Sequence, residues 1–127
     1  MQFLIVFLGG GLGAALRHGV NLLALRVPDV GASAWSTLCV NVVGSLLMGA
    51  LTAYFVRHGG GSMDARLFLA TGVLGGFTTF SAFSLDVVLL FQRGEPGLAL
   101  LYALASVCLS VGALLAGLAA MRAWLPA

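Results

Sequence analysis

The chain has 127 residues, of which 61% are hydrophobic and 8% charged. Soluble domains carry about 25% charged residues, so this is an integral membrane protein, with room for about four helices of roughly 20 residues and little else. Its formal charge of +2 rests on arginines alone, with no lysine; so few and scattered cations exclude a nucleic-acid surface, and no extramembrane stretch is long enough to hold a nucleotide or a large partner.

The first helix is expected from about Phe3 to Leu25. It lacks the positive start of a cleaved signal, and Arg17 interrupts its apolar run, so it reads as a mature span. Gly9 and Gly13 are four apart, as are Gly10 and Ala14. This strip of small residues lets another backbone approach closely. An arginine deep in a span costs at least about 2.5 kcal/mol by insertion scales. Arg17 is therefore expected either to face protein or water, or to reach the interface along its own stem.

Arg26 to Ala34, with Pro28, Asp29, Gly31 and Ser33, reads as a loop, and Trp35 as an interface anchor. A second helix is expected from about Trp35 to Val56, with Thr37, Asn41, Gly44 and Ser45 on one face. Asn41 has two readings: an interhelical hydrogen bond, worth roughly 0.6 kcal/mol in membrane proteins, or an amide facing a ligand. Arg57 to Asp64 is a Gly-rich turn in which His58 is expected to sit in water.

The third helix, about Ala65 to Phe91, holds the most informative stretch, Thr71 to Asp86. Each glycine there lowers helix stability by about 1 kcal/mol relative to alanine, and the Gly75-Gly76 pair predicts a break around Gly75 to Thr78. Backbone that leaves a helix at membrane depth is tolerable only where protein buries it or a polar cavity receives it. Thr78 or Thr79 would cap the restarted half-helix. The positive end of that half-helix suits an anion, and the freed carbonyls before it suit a cation. Phe77, Phe80 and Phe83 recur every three residues, with Ser81 and Ser84 among them. The rings either pack or turn their positive edges towards an anion. Asp86 is expected at the interface or as a polar partner within a pathway.

Gln92 to Gly97 reads as a loop and Leu98 to Met121 as the fourth helix, closed by Arg122, Trp124 and Pro126. Tyr102, Ser106 and Ser110 are spaced by four. They either bond back to their own helix or line a polar track. Cys39 and Cys108 both fall within spans, where a disulfide is not expected and small buried apolar residues are.

Arg57, Arg66 and Arg122 lie on one side of the membrane; Arg26 and Arg93, with Arg17 if it reaches that way, lie on the other. Positive charge in short loops sets orientation, so a near tie predicts weak or mixed insertion. A chain inserted both ways can build an antiparallel dimer with a two-fold axis in the membrane plane. The broken helices of two copies would then cross near mid-membrane, with their carbonyls around one cation.

Three motifs resemble those of the CrcB/Fluc bacterial fluoride channels across nearly the whole chain. They are Gly10-Gly-Leu-Gly13-Ala-Ala-Leu-Arg17, Thr37-Leu-Cys-Val-Asn41-Val-Val-Gly44-Ser45, and Gly72-Val-Leu-Gly75-Gly76-Phe-Thr78-Thr79-Phe80-Ser81-Ala-Phe83-Ser84. The third is the most specific. The resemblance implies an all-α membrane fold of four helices per chain, in an antiparallel dual-topology homodimer with two fluoride pores in the bacterial inner membrane. It implies a structural Na+ at the dimer centre, held by the carbonyls of Gly75 and Thr78, and no organic cofactor. By motif, Asn41 is similar to the pore asparagine, and Phe80 and Phe83 to the rings whose edges face fluoride. Tyr102, Ser106 and Ser110 are similar to pore-side residues, with Thr37, Ser81 and Asp86 along the polar track and Arg17 in a structural role. The chain departs from the family's usual pattern at His18, Ser36, Ala82 and Asp86. The polar inventory suits fluoride, which needs hydrogen-bond donors as it sheds water; a ring of arginines would hold it too tightly to let it leave.

The alternative is a small dual-topology, proton-coupled multidrug exporter. That needs an acid deep in a membrane helix, whereas Glu95 reads as a loop residue and Asp86 lies near a helix end. A purely structural subunit is disfavoured by the expected break, because stored backbone defects mark sites. No catalytic cluster, metal-ligand spacing or nucleotide loop suggests an enzyme.

Overall fold

The computed structural model describes residues 1–24, 26 and 32–125. Pro28, Asp29, Gly31 and Pro126, read above as loop and chain-end residues, lie outside the described residues. The elements are α1 (Gln2–Ala24), α2 (Ala32–Arg57), α3 (Met63–Arg66), a π-helical segment (Leu67–Leu74), α4 (Gly75–Phe77), α5 (Phe80–Gln92) and α6 (Pro96–Trp124). Every regular element among the described residues is helical. Four stretches are long and apolar enough to cross a membrane: Gln2–Ala24, Ser33–Arg57, Met63–Gln92 and Pro96–Trp124.

Local chemistry sets the turns between them. Gly59, Gly60 and Gly61 have φ of +68°, +92° and +64°, a left-handed run that only glycine adopts without strain. Ser62 then caps α3, its hydroxyl accepting from the Ala65 amide at 3.1 Å. Helix α6 begins at Pro96, before the expected Leu98, because proline's missing N–H costs nothing in a first turn.

Small residues determine the packing. Helix α1 lies on the π-helical segment and α4, α2 lies along α6, and α5 packs against α6 and α2. A Cβ on Gly9 would stand 3.0 Å from the Gly72 Cα, and one on Gly13 would run into the Val73 carbonyl. Gly49 likewise abuts the Leu114 carbonyl, and Gly117 abuts the Leu46 carbonyl. The π-helical turn is wider than an α-turn; the Gly75 amide reaches back five residues to the Ala70 carbonyl.

Few large side chains are buried within the chain. Val40, Phe55, Leu74, Leu90 and Tyr102 are, while Phe3, Phe7 and Phe80 stand on the outside. That distribution suits lipid, which is as apolar as leucine and leaves packing rather than water exclusion to hold helices together. Cys39 and Cys108 correct the expectation of burial: both are free thiols on the chain's surface. The tightest positions between helices are filled by glycine.

Candidate functional site at Thr78 and Thr79

The polar residues converge where Thr78 and Thr79 carry extended backbone, with ψ of 158° and 123°, between Phe77 and Phe80. Gly75 and Gly76, where sequence placed the start of the break, remain helical. The threonines complete the step. The Thr78 hydroxyl and amide both donate to the Leu74 carbonyl, at 2.9 and 3.0 Å. Thr79 is the N-cap of α5, its hydroxyl accepting from the Ala82 amide at 3.2 Å and lying 3.2 Å from the Ser81 hydroxyl.

Asn41 of α2 closes this step from the side. Its Nδ2 donates to the Thr79 carbonyl at 2.9 Å, and its Oδ1 accepts from the Thr79 amide at 2.8 Å. One side-chain amide thus satisfies both main-chain groups of an extended residue. Both sequence readings of Asn41 stay open: the interhelical bond exists, and the second Nδ2 proton remains.

The same bonds have a consequence for the Gly75 and Thr78 carbonyls. In an unbroken helix the Thr79 amide would return to the Gly75 carbonyl and the Ala82 amide to the Thr78 carbonyl. Here the first goes to Asn41 and the second to the Thr79 hydroxyl. Both carbonyls are released from their usual donors.

Two grooves meet at Thr79. The first, about 300 Å³, is lined by Asn41, Ser45, Thr79, Phe80, Phe83, Ser106 and Ser110, among others. The Phe80 and Phe83 ring centroids lie 5.3 Å apart, tilted by 46°, and Phe80 is 77% exposed. Ser106 is buried, and its Oγ makes no hydrogen bond among the described residues. The Tyr102 hydroxyl lies close to Ser106 and Thr37, but not in a geometry that partners Ser106. The second groove, about 450 Å³, is lined by Arg17, His18, Asn21, Thr79, Ser81 and neighbours. Arg17 thus borders a polar groove rather than lying wholly against lipid.

Beyond the first groove a carboxylate joins three helices. Asp86 is 5% exposed; Oδ1 accepts from the Ser33 hydroxyl at 2.9 Å and Oδ2 from the Tyr102 hydroxyl at 3.3 Å. Thr37 is buried, with its hydroxyl donating to the Ser33 carbonyl at 3.0 Å. Gly75 is exposed on the chain's surface, and Ser110, half-buried, lines the first groove.

Three participants escaped the sequence reading. Ser33 reads from sequence as a loop residue, yet it belongs to α2 and holds Asp86. Asn21, which accepts from the Ser36 hydroxyl at 2.9 Å and borders the second groove, was visible as a lone amide in an apolar helix. Thr79 as the main-chain partner of Asn41 left no sequence signal.

Comparison with known proteins gives a consistent result. Residues 4–118 match the family described as "CrcB-like protein, Camphor Resistance (CrcB)". A Rhodopseudomonas palustris protein named fluoride-specific ion channel FluC is 54% identical over 123 residues, covering 97% of this chain and 98% of its own length. A Hyphomonas neptunium protein of the same name is 56% identical over 117 residues, covering 91% of each chain. One from Nitrobacter hamburgensis, named fluoride-specific ion channel FluC 2, is 52% identical over 122 residues, covering 96% of this chain and 98% of its own. With the family match spanning all four apolar helices and these relatives aligned nearly end to end, the chain belongs to the CrcB-like family of multi-pass membrane proteins.

Proposed function

We propose that the chain is a subunit of a fluoride-selective channel that lets fluoride leave the cytoplasm passively across the bacterial inner membrane. It acts as a channel and not as an enzyme. The observation that carries this reading is the first groove, where Asn41, Phe80 and Phe83 share the lining with a buried Ser106 hydroxyl that has no partner among the described residues. A buried unpartnered donor is costly, and a small anion offsets that cost. The relatives named as fluoride channels support this assignment over a proton-coupled exporter.

In this reading fluoride passes from the groove beside Arg17 and Ser81 to the one beside Ser106 and Ser110, with Thr79 and the second Nδ2 proton of Asn41 between them. Phe80 and Phe83 offer ring edges. Thr37, Tyr102 and Asp86 extend the polar track, with the Tyr102 and Ser33 hydroxyls donating to the Asp86 carboxylate. The functional unit is an antiparallel dual-topology homodimer; Phe80 is too exposed in one chain to line an enclosed pore, which supports a second copy against it. The third span counts as a broken helix near mid-membrane.

Na+ fits the donor set at the dimer centre. No group of three or more His, Cys, Asp or Glu side chains is positioned to hold a metal among the described residues, whereas the Gly75 and Thr78 carbonyls have lost their helical donors. Two copies would bring four such oxygens together. The ion, when bound, supplies a fixed positive charge that ties the subunits and lowers the field cost of a nearby anion.

Proteoliposomes loaded with fluoride or chloride test the function. Fast fluoride efflux with chloride nearly silent, and no dependence on a proton gradient, is the expected result; folded dimers that pass no fluoride would overturn the channel. Phe80→Ile is expected to slow fluoride efflux sharply. Ser106→Ala should lower flux about tenfold, the scale of one hydrogen bond to a charged partner, while leaving thermal stability unchanged or higher. A fall in stability with flux intact would instead make Ser106 a packing residue.

A further inference from the structure

A third cleft lies away from both grooves, at the membrane edge between α2 and the α3–π segment. It is about 120 Å³ in volume and is lined by Leu51, Thr52, Phe55, Val56, Gly60, Arg66 and Ala70. Its wall is built from local sequence. The Gly60 amide donates to the Phe55 carbonyl at 2.6 Å, which folds the turn of left-handed glycines back over the end of α2. Gly61 lies against the Phe55 ring, where a Cβ would come within 2.7 Å of the ring carbon. Thr52 has turned its hydroxyl away to the Met48 carbonyl at 2.7 Å, so the cleft below the turn is apolar. Arg66 alone brings charge to it. Its side chain is exposed and makes no hydrogen bond or ion pair among the described residues.

We propose that this cleft binds an anionic phospholipid, with the phosphate on the Arg66 guanidinium and an acyl chain along Leu51, Val56 and Ala70. Charge complementarity argues for this occupant. An arginine without a partner among the described residues, at the start of the third span and beside apolar side chains, matches a phosphodiester above a hydrocarbon tail. Basic pockets between membrane helices take anionic headgroups for this reason. The guanidinium fork suits two phosphate oxygens, and side-chain-free Gly60 lets a headgroup approach the turn. Val56 is 72% exposed, as a residue facing an acyl chain should be. The site is independent of the proposed fluoride pathway.

Native mass spectrometry of the purified protein, titrated with phosphatidylglycerol, phosphatidylcholine or inorganic phosphate, tests this. Phosphatidylglycerol should bind preferentially over phosphatidylcholine, and inorganic phosphate should not bind, since it lacks the chain that fills the cleft. Arg66→Gln should weaken phosphatidylglycerol binding roughly five-fold, the scale of one arginine at an anionic surface; Arg122→Gln, at the end of α6, should not. Ala70→Leu, which fills the cleft while keeping the charge, should weaken binding as well. Equal binding of the two lipids, or equal loss in Arg66→Gln and Arg122→Gln, would overturn the site. If Arg66→Gln left lipid binding intact but shifted the balance between monomer and dimer, the cleft would belong to a second copy and the lipid assignment would fall.

Discussion

Asn41→Ala is expected to abolish fluoride efflux and to lower the stability of the folded protein in the same variant. The side-chain amide of Asn41 bonds both main-chain groups of Thr79, at 2.8 and 2.9 Å. Removing it leaves a buried N–H and C=O without partners, at about 1–3 kcal/mol each. Thr79 is 8% exposed, so water does not readily replace the lost bonds. Asn41→Asp separates the two effects. A carboxylate still accepts from the Thr79 amide but cannot donate to its carbonyl, and its charge repels an anion. Its stability loss should be about half that of Asn41→Ala, with flux equally low. Thermal unfolding in detergent and fluoride efflux from liposomes, measured on both variants, check this. Near-native flux in Asn41→Asp would remove Asn41 from the pathway and leave it as a structural clamp.

Gly13→Ala is expected to be among the most destabilising single methyls in the chain, while Gly11→Ala, two residues earlier in the same helix, is expected to be neutral or stabilising. A Cβ on Gly13 collides with the Val73 carbonyl and comes within 2.8 Å of the Phe77 amide, both main-chain atoms that cannot rotate away. Overpacking of this kind costs about 1–3 kcal/mol or more, and here it pushes α1 off the segment that carries Thr78 and Thr79. A Cβ on Gly11 meets nothing within 4 Å, so the helix gains up to about 1 kcal/mol of propensity. Size-exclusion profiles and melting temperatures of the two variants provide the comparison. Equal behaviour would mean that the contact between α1 and the π-helical segment is looser than the geometry indicates.

The pairing of these variants also shows how sequence and structure divide the information. Four apolar spans, the small-residue strip of α1 and the concentration of polar residues between Thr71 and Asp86 all follow from residue type and spacing, because membrane length and helical period leave few alternatives. Family membership was legible too, since its motifs are runs of contiguous residues. What sequence alone placed imprecisely was the backbone departure. It was expected around Gly75 to Thr78, on glycine's low propensity, yet Gly75 and Gly76 stay helical and Thr78 and Thr79 extend. The reason is tertiary: glycine is kept there for closeness, Gly76 lying against the Gly10 backbone, while the extended residue is the one Asn41 reaches across to satisfy. Cys39 and Cys108 point outward, although residue type alone suggests burial. Which serine holds Asp86 and which amide closes on Thr79 depend on residues 53 and 38 apart in sequence, and which glycine touches which carbonyl depends on residues farther apart still; no local pattern encodes such distances.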